Sequence, residues 1–270
     1  MNSLKLTMLG TGNAMVSHCY NTCFTISDGS EHLLVDAGGG NQIFRQLELA
    51  GIDRNSIHHI ILTHKHTDHI LGVIWMIRAI GQAMHSGKYE GDAYIYGNDE
   101  AMSILEQIAM AIVDGRQRRF IGDRIHLVTV LDGEERVLLG RKLTFFDIGS
   151  TKAKQYGFSM ELPDGTRLTC CGDEPWNECE LKYMDNCSWL LHEAFCLHSQ
   201  ADIFHPYEKH HSTVRDAASL AARFGIGHLV LYHTEDRNIA DRKVLYMEEG
   251  REVYDGDLYV PDDLDVIVLG

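Results

Sequence analysis

The sequence predicts an α/β protein, built of buried strands and helices in layers, with its chemistry gathered where strands end. Three features carry the prediction. Short apolar runs of strand length alternate with longer segments of helical spacing. One such run, Ile60-Ile61-Leu62-Thr63, leads into His64-Lys65-His66-Thr67-Asp68-His69, and a helical apolar pattern starts at Ile70. In the second half polar donors repeatedly follow apolar runs: Asp173 after Cys170-Cys171, Glu193 after Leu190-Leu191, and His233 after Leu229-Val230-Leu231. Layered α/β proteins place their sites at such ends.

Residues 4–9 alternate and read as a strand running into Gly10-Thr11-Gly12-Asn13, a tight turn without the third glycine of a dinucleotide fingerprint. Residues 23–27 and 32–36 read as a hairpin closed at Asp28-Gly29. Residues 41–50 are helical, with Gly51 as C-cap. A strand over 57–62 delivers the histidine motif, and the helix over 70–83 carries little polar surface, which predicts burial. A strand at 93–96 and a helix at 100–113 follow. Arg116-Gln117-Arg118-Arg119 is the one compact basic run and reads as a solvated turn. Strands are expected at 125–130, 136–139 and 142–146. A further hairpin joins 157–162 to 167–171 through Pro163-Asp164-Gly165. His210-His211-Ser212-Thr213 precedes a helix at 214–224, with Ser212 or Thr213 as N-cap, and 229–233 is a strand ending in His233.

Composition excludes some functions. The chain has 270 residues, 24 Lys and Arg against 39 Asp and Glu, and a formal charge of −15. That argues against a broad electrostatic grip on nucleic acid or on an anionic membrane. No apolar run is long enough to span a bilayer. The seven cysteines form no CxxC pair, so reduced thiols in a cytoplasmic protein are expected.

The histidine motif points to a metal. On an extended backbone His64 and His66 point the same way, because a strand repeats every two residues. Asp68 and His69 then aim at that space from the turn into the helix. Four nitrogen and oxygen donors within six residues suit a divalent ion with open coordination positions. A polar loop with Asp68 as N-cap is the plainer reading, and the spacing favours the metal.

The order of motifs resembles the metallo-β-lactamase fold, and within it the ribonuclease Z-like branch. The matching pieces are Gly10-Thr11-Gly12-Asn13, Asn21-Thr22, Asp36-Ala37-Gly38, His64-Lys65-His66-Thr67-Asp68-His69, Gly172-Asp173, His192-Glu193-Ala194, His211-Ser212-Thr213 and Tyr232-His233. The resemblance implies a single domain over 1–270, a four-layer αββα sandwich with the site at one edge. It implies one or two divalent ions, zinc first and manganese as the alternative. His64 and His66 would hold one ion, Asp68, His69 and His233 the second, and Asp173 would bridge. Two such ions about 3.5–4 Å apart can share a hydroxide and clamp a phosphodiester. Asp68 doubles as hydrogen-bond acceptor for the attacking water. Glu193 and His211 are expected not as ligands but as a pair that keeps the imidazole protonated and donates to the leaving alkoxide. A homodimer is also implied.

Two departures shape the expected function. The family has a further histidine ligand between the first block and the bridging aspartate, yet 146–158 contains no histidine, so the first metal site looks one ligand short. Asp147 and Ser150 are candidate substitutes, and Gly149 then Thr151 are the positions for restoring a histidine. The long arm that grips tRNA is missing as well, because 157–173 holds only one hairpin. Lys152 and Lys154 are candidates for steadying a phosphate, although surface lysines are usually only solvated. The expectation is a metal-dependent phosphodiesterase acting through a metal-bound hydroxide, and not a tRNA 3′-processing enzyme. A carboxylic ester or thioester hydrolase of the same fold is the alternative. A degenerate metal-binding or sensing protein is the alternative outside catalysis.

Overall fold

The computed structural model describes residues 3–29 and 31–269. Among the described residues fourteen strands form two seven-stranded sheets. The first holds β1 (Leu4–Gly10), β2 (Cys23–Ser27), β3 (His32–Val35), β4 (Ile57–Ile61), β5 (Ala93–Gly97), β6 (Ile125–Thr129) and β14 (Val266–Leu269), in the order β14-β1-β2-β3-β4-β5-β6. The second holds β7 (Glu135–Leu138), β8 (Arg141–Asp147), β9 (Tyr156–Glu161), β10 (Arg167–Cys170), β11 (Cys187–Glu193), β12 (His228–Tyr232) and β13 (Asp257–Tyr259), in the order β13-β12-β11-β10-β9-β8-β7. Each sheet is mixed. β3 to β6 run parallel in the first and β10 to β13 in the second.

The sheets face each other across a core that includes Phe24, Phe145, Phe158 and Trp189. Truncating one such buried phenylalanine to alanine typically costs about 3–5 kcal/mol. Outside the first sheet lie α1 (Ile43–Leu49), α2 (Thr67–His85), α3 (Asp99–Ile112) and the single turn α4 (Gly115–Arg118). The second half adds the short turns α5 (Leu181–Met184) and α6 (Ala201–Phe204), then α7 (Val214–Phe224) and α8 (Arg242–Arg251), the last two covering the second sheet. The result is the four-layer αββα sandwich.

Helix α2 explains its sequence. Its apolar residues from Ile70 to Met84 are almost all buried against the first sheet, leaving Trp75, Arg78, Gln82 and His85 as the outward stripe. It is therefore a core helix, and its apolar character calls for no partner. Gly72 fixes its seat: a Cβ there would lie 1.7 Å from the Ala37 carbonyl oxygen, so only glycine lets the helix rest on the Asp36–Gly39 loop. The N-terminal turn of α2 is thereby locked at the sheet edge. α7 begins at Thr213, whose hydroxyl and backbone form a capping box with Asp216. The 157–173 segment is one tight hairpin, in which Leu162 N donates to Thr166 O. The basic run falls on α4, where Arg116, Arg118 and Arg119 are exposed, as a solvated segment requires. α8, β13 and β14 carried no clear signal, and β14 closes the first sheet by pairing antiparallel with β1, Leu4 opposite Leu269.

Candidate metal centre

The ends of both parallel strand sets meet at one edge. The stretch after β4 brings His64 and His66, and the first turn of α2 brings Asp68 and His69. The bend after β10 brings Asp173, and the residue after β12 is His233, held at φ +56°. His64, His66 and Asp173 form one group and Asp68, His69 and His233 another, the candidate ligand atoms of each group lying within 4.8 Å of one another. Asp173 faces both: its Oδ2 lies 3.6 Å from His64 Nε2, 3.6 Å from His69 Nε2 and 3.4 Å from His233 Nε2. Asp68 Oδ2 lies 3.3 Å from His69 Nε2 and 3.5 Å from His233 Nε2. In the first group His64 Nε2 and His66 Nδ1 are 2.8 Å apart.

This arrangement fits divalent ions. His69 Nε2 and His233 Nε2 are buried without a hydrogen-bond partner, although carboxylates stand close by. Leaving buried nitrogens unpaired is costly. Ring nitrogens and carboxylates that converge without hydrogen bonds are what a borderline cation satisfies. Burial pushes His64 down to about 3, which leaves it a neutral imidazole with a lone pair to offer. Burial works against the charge of Asp68 and Asp173, yet the neighbouring histidines hold both carboxyls well below their usual range.

One carboxylate orients candidate ligands in both groups. Asp36, at φ +53° after β3, accepts from Thr63 N at 2.9 Å, from Thr63 Oγ1 at 2.8 Å and from His69 Nδ1 at 2.7 Å. Because the Thr63 hydroxyl donates to Asp36, it accepts from His64 Nδ1 at 3.0 Å. Both rings are thus fixed with Nδ1 protonated and Nε2 directed at the centre. Sequence reasoning named Asp36 only as part of a motif and gave Thr63 no role.

Glu193 and His211 meet beside this centre. His211 Nδ1 donates to Glu193 Oε2 at 2.9 Å, and Ser212 N donates to Oε1 at 2.5 Å. The His211 ring stacks on Phe195, with centroids 4.9 Å apart and planes within 9°, and lies 5.2 Å from the His233 ring. Burial pushes His211 down to about 4 and raises the Glu193 carboxyl well above its usual range. Burial thus works against the protonated imidazole expected from the pairing; the two hydrogen bonds into Glu193 supply orientation.

The segment that lacks the histidine offers no side chain to either group. Among the described residues, none of the three clusters of candidate ligands, the third being Glu193, His211 and His233, includes a donor from 146–158. Asp147 Oδ1 accepts from Gly149 N, and Ser150 Oγ donates to Glu174 Oε1 at 2.7 Å. Gly149 is at φ +73°, and a Cβ there would crowd the Asn177 and Cys179 side chains at 3.1 and 3.2 Å. It is a poor position for a restored histidine. Thr151 is exposed.

A family model described as "Anti-Pycsar protein Apyc1" matches residues 4–243. The ribonuclease Z of Halorubrum lacusprofundi is 27% identical over 311 residues, covering 98% of this chain and 97% of that protein. The metallo-beta-lactamase fold protein YhfI from Bacillus subtilis superposes with a TM-score of 0.78 at 18% identity, covering 98% of this chain and 99% of that one. The short form of human tRNase Z gives 0.72 at 19% identity, with 98% and 99% covered. At these identities the two structures speak to the fold.

Proposed function

Because this chain belongs to the anti-Pycsar protein Apyc1 family, and is a metal-dependent hydrolase of the metallo-β-lactamase fold and ribonuclease Z-like branch, we propose that it hydrolyses a phosphodiester. His64, His66 and Asp173 would hold one divalent ion and Asp68, His69 and His233 the other, with zinc the first choice. Such ions, when bound, offset the charge of the phosphate and make a water acidic enough to react near neutral pH. Asp68 orients that water by accepting a hydrogen bond from it. Glu193 fixes His211 through Nδ1, which leaves Nε2 to carry the proton that the departing alkoxide needs. The negative charge of a bound diester favours the protonated ring that burial alone disfavours.

The observation that carries this reading is the Glu193–His211 pair beside the two clusters, at 2.9 Å. A carboxylic or thioester hydrolase of this fold has less need of that donor. The short β9–β10 hairpin and the −15 formal charge support a compact diester and not tRNA 3′ ends. The family's description adds a role against a system named Pycsar, and we propose that diester hydrolysis is how this chain fulfils it. A cytoplasmic homodimer whose catalytic domain spans 1–270 belongs to the same proposal. Sedimentation at micromolar protein tests the assembly, and a monomer mass removes it. The decisive assay compares divalent-loaded protein on bis-p-nitrophenyl phosphate, a p-nitrophenyl ester and a thioester. Diester turnover above the other two supports the reading; turnover of the ester or thioester alone replaces it.

A further inference from the structure

The loop between β8 and β9 supplies no metal ligand, but it does supply a cation. Ser150 Oγ donates to Glu174 Oε1 at 2.7 Å and accepts from Lys152 N at 3.2 Å and Ala153 N at 3.3 Å. This hydroxyl-centred turn ties the loop to the residue next to Asp173. The Lys152 side chain is 25% exposed, and its Nζ stands 3.9 Å from Glu174 Oε1. Glu174 follows Asp173, whose Oδ2 faces both metal groups. Lys152 is therefore held against the neighbour of the carboxylate shared by the two groups.

The other nearby lysines are engaged. Lys65 Nζ lies 2.5 Å from Glu100 Oε1, and Lys154 Nζ lies 2.6 Å from Asp99 Oδ1. Lys209 Nζ donates to the Phe204 carbonyl at 2.7 Å. Lys152 has the loosest contact of the four, to an oxygen already taken by Ser150. An ammonium is a compact point charge on a flexible stem, well suited to meeting an incoming phosphate. Five carboxyl groups stand in or beside this site, Asp36, Asp68, Asp173, Glu174 and Glu193, so a nearby positive charge matters to an anionic substrate.

We propose that Lys152 binds a non-bridging phosphate oxygen of the substrate, using the segment from which the family's extra histidine is missing, and that Ser150 and Glu174 position it. Lys154, its neighbour in sequence, has no such role. The proposal rests on the phosphodiesterase reading, and its test separates the two. Inorganic phosphate is titrated calorimetrically into manganese-loaded native protein, Lys152→Met, Lys152→Arg and Ser150→Ala, with metal content measured on each. Lys152→Met should weaken phosphate binding about tenfold or more with metal content unchanged, and Lys152→Arg should recover most of it. Ser150→Ala should weaken it by less. On bis-p-nitrophenyl phosphate these losses should fall on KM with kcat largely kept. Phosphate affinity within twofold of native in Lys152→Met overturns the proposal, as does metal loss in parallel with phosphate loss, or no phosphate binding by the native protein. Unchanged affinity in Ser150→Ala removes the positioning part. Lys152-dependent phosphate binding by a protein that hydrolyses only esters keeps the anion site and discards the phosphodiesterase reading.

Discussion

Asp36 Oδ2 lies 2.7 Å from His69 Nδ1 and 2.8 Å from Thr63 Oγ1, and that hydroxyl is 3.0 Å from His64 Nδ1. A single carboxylate that touches no candidate metal position thus sets the ring orientation in both ligand groups. Outer partners of this kind are typically worth about 10–100-fold in metal affinity. Asp36→Asn should weaken binding of both ions by that order, and Thr63→Val should weaken mainly the ion of His64. Competitive chelator titration reads both. Affinities equal to native in Asp36→Asn would falsify the orienting role.

The two metal groups are unequal. Asp68, His69, His233 and Asp173 are all buried, whereas the first group has a half-buried His66 and the shared Asp173. The ion of the second group should load first, and the other should need excess metal. Elemental analysis during titration checks this order, and two equally tight ions in the native protein would contradict it. Gly149→His should not tighten the weak position. At φ +73° it should instead destabilise the fold by about 1 kcal/mol or more, read by chemical denaturation.

His211→Ala should lower turnover about 10²–10⁴-fold with metal content unchanged. The loss should shrink on substrates with good leaving groups such as p-nitrophenolate, which need little protonation. A loss of the same size across leaving groups of different basicity counts against His211 as donor.

Glu180 gives stability a pH dependence. It is fully buried, caps the turn at Asn177 N through Oε1 at 2.8 Å, and is pushed up to about 8 by burial. Below about 4.5 both folded and unfolded chains hold its proton. Between there and about 8 only the folded chain does, so its contribution to stability falls by up to about 1.4 kcal/mol per pH unit and then levels off. Glu180→Gln should flatten that part of the curve. Urea unfolding from pH 5 to pH 9 shows it, and parallel curves for native and variant would remove the assignment.

The fold was largely legible because most elements announce themselves by period. Alternation marked β1 and the two hairpins, and helical spacing marked α2, α3 and α7. β14 was not legible because its place depends on a partner far away in sequence, and local pattern carries no such information. Of the candidate ligands, those from His64 to His69 could be picked out by spacing, whereas Asp173 and His233 needed the family resemblance to be tied to them, and the structure brings all of them together. Asp36 stayed hidden because its role rests on a left-handed backbone and a threonine hydroxyl 27 residues along the chain. The Gly149 register was misjudged for a similar reason, since side-chain direction in an irregular loop has no period to follow.

The pairing of Leu4 with Leu269 has a consequence for biosynthesis. A ribosome releases β1 before β2 to β13, and its outer neighbour emerges only after all of those strands have been made. Until then the first sheet presents an unpaired edge of the sort that recruits other strands. Completion of that sheet is therefore a late event, and a nascent chain stalled before β14 should depend on chaperones far more than a finished one.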